Sequence, residues 1–122
     1  MQREELYLQD IIESISNIKE FLQNVKKDEF LASKLLQSAV IHQLMIIGEA
    51  SARLSSELKV IYPKTPWKKI VGLRNITAHA YFTIDWEAIW ETNENDLEPL
   101  REKVQEILQT EFPDFELRNN TK

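Results

Sequence analysis

Residues 74–81 read Arg-Asn-Ile-Thr-Ala-His-Ala-Tyr. This stretch gathers a fixed cation, an amide, a proton-transfer base and a phenol within about two helical turns. The chain contains two histidines, His42 and His79, and no cysteine. No Gly-rich phosphate loop and no cluster of acidic metal ligands competes with this stretch. Chemistry is therefore expected here. A histidine whose ordinary pKa lies near neutrality can take a proton from a ribose 2′-hydroxyl or give one to a leaving 5′-oxygen. An arginine can grip a phosphate bidentately and stabilise the charge that develops on its oxygens. Together they suit cleavage of RNA without a metal, giving a 2′,3′-cyclic phosphate and a 5′-hydroxyl, and DNA would be spared.

The expected element is a helix from Pro66 to about His79 or Tyr81. On such a helix Asn75 and His79 stand four apart and share a face, so Asn75 could orient the imidazole. Arg74 and His79 differ by about 140° around the axis and about 7.5 Å along it. They flank a groove without touching. One copy therefore makes an incomplete site, and two copies about a two-fold axis could line a shared cleft. A satisfied polar patch between helices uses the same residues, and spacing alone leaves both readings open.

Few breakers interrupt the rest of the chain: two glycines, Gly48 and Gly72, and four prolines. With abundant Leu, Ile, Glu, Lys and Gln this predicts an all-α fold, an up-and-down bundle of four or five helices. Apolar residues recur at helical steps over residues 3–24. Asp28 is read as the N-cap of a long second helix from Glu29 to Leu58, buried all round near residues 39–48. Gly48 there admits a close neighbour. His42, on the same helix, is read as a core or interface histidine. Glu49, an acid in that apolar stretch, requires a partner such as Arg74 or Arg53, most simply in a buried ion pair between helices.

Thr65 and Pro66 cap and start the third helix. Asp85 caps a short helix over Trp86–Glu91, Thr92–Asn95 breaks it, and Asp96 restarts a last helix to about Thr110. Trp67, Trp86 and Trp90 are assigned to core or interface. Residues 1–112 form one domain, and 113–122 form a polar tail.

Net charge is −5, which disfavours a generic nucleic-acid binder. Yet no acid lies between Glu57 and Asp85, a window that holds Lys59, Lys64, Lys68, Lys69 and Arg74. That strip could meet a polyanion locally, with Lys64, Lys68 and Lys69 as candidate RNA contacts. The N-terminus lacks the pattern of a signal peptide and no segment has the apolar length of a membrane span, so a cytoplasmic location is expected.

Arg, four residues, His, one residue, Tyr resembles the signature of the HepT-like toxins, a branch of the HEPN ribonuclease superfamily. Ile46-Ile47-Gly48-Glu49-Ala50 with Arg53-Leu54-Ser55 resembles that family's second-helix signature. The Pro66-Trp67 start, Gly72 ahead of Arg74, Asp85-Trp86 and Leu97-Glu98-Pro99-Leu100 extend the likeness over about residues 5–110. The resemblance implies an HEPN-like bundle that dimerises through its motif-bearing helices, with further assembly open. It implies a ribonuclease toxin with Arg74 and His79 catalytic, Asn75 supporting, Glu49 a structural polar residue, and no metal or cofactor. Its partner would be an MntA-like nucleotidyltransferase antitoxin that transfers AMP from ATP onto Tyr81. The competing expectation is a catalytically silent helical partner of such a nucleotidyltransferase.

Overall fold

A computed structural model describes residues 3–76 and 81–115. Helix α1 (Glu4–Phe21) sends Leu8, Ile11, Ile12, Ile15 and Ile18 into the core, so the three- and four-residue recurrence in the sequence is the buried face itself. The chain leaves α1 through Asn24 at φ 63°, a left-handed conformation that asparagine tolerates better than most residues.

The expected long second helix is three helices: α2 (Lys27–Ala32), α3 (Lys34–Ala52) and α4 (Ser56–Ile61). Two serines cause the divisions. Ser33 is extended, and its Oγ accepts the Leu36 N–H at 3.1 Å, which starts α3 anew. The Gln37 side-chain amide then donates to the Phe30 and Leu31 carbonyls and satisfies the end of α2. At the second division Ser55 Oγ accepts the Leu58 N–H at 3.1 Å. The Ser55 N–H donates to the Glu4 carboxylate at 2.8 Å, which ties this corner to the start of α1. Hydrophobic periodicity runs through both serines, and their capping geometry overrides it. The start of α2 also differs from expectation. The Glu29 carboxylate accepts the Lys26 N–H at 2.8 Å, so the helix begins at Lys27 and Asp28 lies inside its first turn.

α3 is the central helix, packed against α1, α5 (Trp67–Val71) and the 3₁₀ turn Gly72–Asn75. Val40, Ile41, Leu44 and Ile47 are buried, but His42 is exposed and Met45 and Ile46 are only half-buried. The stretch is thus not enclosed on every side, and His42 is not a core histidine.

α6 (Trp86–Asn95) starts as expected, with the Asp85 carboxylate accepting the Glu87 and Ala88 N–H groups at 3.1 Å. It runs straight through Thr92–Asn95, where a break was expected, and Asn93 is buried in that turn. α7 (Leu97–Glu111) follows, burying Leu97, Val104, Ile107 and Leu108 against α1 and α6. Phe30, fully buried on α2, holds Trp86 and Trp90 at ring-centroid distances of 6.1 and 5.5 Å, and Trp67 is buried on α5. All three tryptophans therefore serve the core.

Tyr62, after α4, donates its hydroxyl to the Glu111 carboxylate at 2.7 Å. Desolvation, then this bond to an anion, pushes the phenol up to about 12. The fold is all-α among the described residues, and none of their helices is long and apolar enough to cross a membrane.

Candidate active site

Placement of Arg74 begins at Gly48. A Cβ on Gly48 would stand 2.4 Å from the Arg74 backbone nitrogen and 2.9 Å from the Leu73 carbonyl carbon. Only a glycine on α3 lets the 3₁₀ turn lie this close. The close neighbour that Gly48 admits is therefore the backbone of the candidate catalytic arginine.

The Arg74 guanidinium projects outward from that seat, 45% exposed. Its Nη1 stands 3.9 Å from Glu49 Oε1, while Glu49 Oε2 accepts the Arg53 Nε–H at 2.9 Å. One carboxylate thus bridges two arginines. The buried ion pair expected at Glu49 is instead exposed: its side chain is 48% accessible, because it leaves α3 on the flank that the turn does not cover. In solvent such contacts are worth at most about 1 kcal/mol each. Glu49, then Tyr7, hold the Arg53 guanidinium above its ordinary value. Burial and then repulsion from Arg74 hold the Lys59 ammonium, on α4, below its own. Glu49 is thus shared by Arg53 and Arg74, with Lys59 near enough to Arg74 to feel its charge, and an anion arriving there would meet guanidinium donors that Glu49 only partly satisfies.

The continuous helix expected from Pro66 to Tyr81 does not form. α5 ends at Val71, the turn Gly72–Asn75 is 3₁₀, and Ile76 is extended at φ −72°, ψ 113°. Its start is shifted too: Pro66 is the N-cap and the first helical residue is Trp67, a one-residue change that leaves Thr65 buried beneath. The extended Ile76 interrupts the continuous helix on which Asn75 was related to His79, and that pairing itself falls on His79, outside the described residues. Asn75 is exposed beside Arg74. His79 lies in residues 77–80, outside the described residues.

Beyond them Tyr81 is half-buried, edge-on to Trp86 at 5.6 Å and to Phe82 at 6.0 Å. Trp86 in turn abuts Phe30, so the phenol is footed on the aromatic core of α2 and α6. Phe82 itself is 85% exposed.

Lys64, Lys68 and Lys69 are all exposed. Lys64 and Lys69 line a groove of about 400 Å³ between α5 and the α6–α7 junction, whereas Lys68 does not. Lys103 and Asn95 on the opposite wall were not read as site residues. Periodicity gives no sign that α6 continues through Thr92–Asn95 and faces them toward α5. Among the described residues no three His, Asp or Glu side chains gather as metal ligands.

A family model described as "Ribonuclease HepT-like" matches residues 11–107. "Putative RNase MJ1380" of Methanocaldococcus jannaschii is 38% identical over 99 residues, covering 81% of this chain and 91% of the relative. "Probable ribonuclease HepT" of Thermococcus cleftensis is 38% identical over 101 residues, covering 83% and 92%. "Putative RNase TTE0752" of Caldanaerobacter subterraneus is 34% identical over 105 residues, covering 86% and 94%. No solved structure matches.

Proposed function

The chain belongs to the HepT-like ribonuclease family, and from that premise we propose that it is a metal-independent endoribonuclease toxin with Arg74 and His79 as its catalytic pair. The observation that carries the reading is the seat on Gly48. A glycine-only contact fixes the backbone of one arginine while its guanidinium stays exposed and loosely held.

In the reaction His79 takes the proton of a ribose 2′-hydroxyl. The 2′-oxygen attacks the adjacent phosphorus, and the P–O bond to the 5′-oxygen breaks as that oxygen takes up the proton from the imidazolium. The products are a 2′,3′-cyclic phosphate and a 5′-hydroxyl. Arg74 binds the non-bridging oxygens, and its charge counts most as theirs grows. Glu49 is the resident anion that RNA phosphate displaces, and Asn75 is a supporting donor beside the arginine. Two copies meeting through the segments that follow Arg74 complete the site, and the exposed Phe82 offers apolar area for that contact.

Restraint of the toxin falls to Tyr81. An MntA-like nucleotidyltransferase antitoxin delivers the α-phosphorus of ATP to the phenol oxygen, with loss of the phenolic proton and of pyrophosphate. The adenylyl group adds negative charge and bulk near the phosphate site, so RNA is repelled. Packing of the Tyr81 ring on Trp86 supports this role, since it restricts where the phenol can stand.

The test is intact mass after co-expression with a minimal nucleotidyltransferase of the MntA type. The chain should gain whole adenylyl units and lose toxicity to its host, and Tyr81→Phe should stay unmodified and toxic. A modified Tyr81→Phe chain would refute the assignment to this residue.

A further inference from the structure

The groove between α5 and the α6–α7 junction has a composition that the catalytic reading does not use. Ile70, Leu73, Leu97 and Leu100 give it an apolar floor. Lys64 and Lys69 stand on one rim and Lys103 on the other. Asn95 and Thr92 add an amide and a hydroxyl, and Asp96 is the one acid in its lining. Lys103 is paired with Glu106 at 3.1 Å, but both side chains are exposed, at 40% and 58%, so the pair opens at little cost to a stronger anion.

Resting on the ribonuclease reading, we infer that this groove is a subsite for one unstacked nucleotide of single-stranded RNA, next to the phosphate held at Arg74. Three observations converge on that occupant. The first is continuity. Leu73, which lines the groove, immediately precedes Arg74, and Lys69 lies about 8 Å back along the same helical segment. A strand leaving Arg74 along this segment meets the groove next.

The second is amphipathy. A nucleotide has an apolar base face, polar base edges and an anionic phosphate, and the groove offers an apolar floor, a hydroxyl at half-buried Thr92, and an amide and ammonium groups at its rims. The third is size: about 400 Å³ lies within the range of small-ligand sites and suits one nucleotide rather than a helical segment of a protein. A base must leave its stack to enter, so duplex RNA is a poor occupant. The acid-free window of the sequence forms the near wall, and α7 supplies the far one.

The test is fluorescence anisotropy with a labelled 2′-O-methyl oligouridylate, which cannot be cut. Against the parent, Lys69→Ala/Lys103→Ala should bind about tenfold more weakly, with the salt slope shallower by about two. Asn95→Trp, which fills the groove from its exposed rim, should weaken binding with the slope unchanged. The same oligonucleotide annealed into a duplex should compete poorly. Equal affinity of the parent and both variants would overturn the inference and leave the groove to an acidic, amphipathic protein segment. Cleavage of the dinucleotide UpA by the parent, measured in parallel, tests the reaction without the groove. A parent that binds the oligonucleotide through the groove yet cuts nothing would refute the catalytic reading alone.

Discussion

At the scale of single residues Arg74 and its surroundings decide whether phosphate can be held. Its guanidinium has one carboxylate for company, 3.9 Å away and shared with Arg53. Had Glu49 been buried, breaking its pairing would cost about 3–5 kcal/mol, because it would strand a charge away from water. At 48% exposure the charge stays hydrated. Glu49→Gln should therefore shift stability by less than about 1 kcal/mol in urea titration. A loss of several kcal/mol would show that the Arg53–Glu49–Arg74 bridge is a structural strut instead of a replaceable anion. The residue types at this site are legible in the sequence: Glu49 four before Arg53, and an arginine in an acid-free window. Their exposure is not, since it depends on which flank of α3 the turn covers.

At the scale of elements the decisive contact is α3 against the 3₁₀ turn. The neighbours of a Gly48 Cβ would be backbone atoms, at 2.4 and 2.9 Å, which cannot swing aside as a flexible side chain would. Gly48→Ala should cost about 1–3 kcal/mol and lower activity more than stability, because the atom displaced is the Arg74 nitrogen. Gly72 is the internal control. A Cβ there meets nothing within 4 Å and its φ is −60°, so Gly72→Ala should be neutral or stabilising by up to about 1 kcal/mol. Thermal melts with turnover measured on the same samples check both. A tolerated Gly48→Ala with full activity would show that the turn does not need its seat.

Sequence periodicity located most of the helical material, including α1, α7 and the Asp85 cap. It failed where local hydrogen bonding outweighs it. Ser33 and Ser55 each cap a new helix inside a run of apolar residues that reads as continuous. Extended Ile76, β-branched, closes the 3₁₀ turn and interrupts the single helix that spacing drew from Pro66 onward. Spacing counted across Ile76 therefore no longer rests on one continuous helix, while the close approach expected at Gly48 is present and has the Arg74 backbone as its partner.

At the scale of the whole molecule an acidic chain carries its cations together. The net charge of −5 coexists with a run of cations on consecutive segments: Arg53 at the end of α3, Lys59 on α4, Lys64 and Lys69 around α5, and Arg74 on the 3₁₀ turn. On the proposed reading, acids elsewhere would repel nucleic acid and leave these segments to meet RNA. Relatives named as ribonucleases match over most of both chains, so these segments belong to the shared domain and not to an appended one. The measurement that bears most directly on the central claim is cleavage of an end-labelled RNA in excess chelator, with the product ends identified by mass. The parent chain should give 2′,3′-cyclic phosphate and 5′-hydroxyl ends, with Arg74→Ala and His79→Ala each slower by at least about 10²-fold. Cleavage that stops in chelator, or that proceeds equally in the two variants, would contradict it.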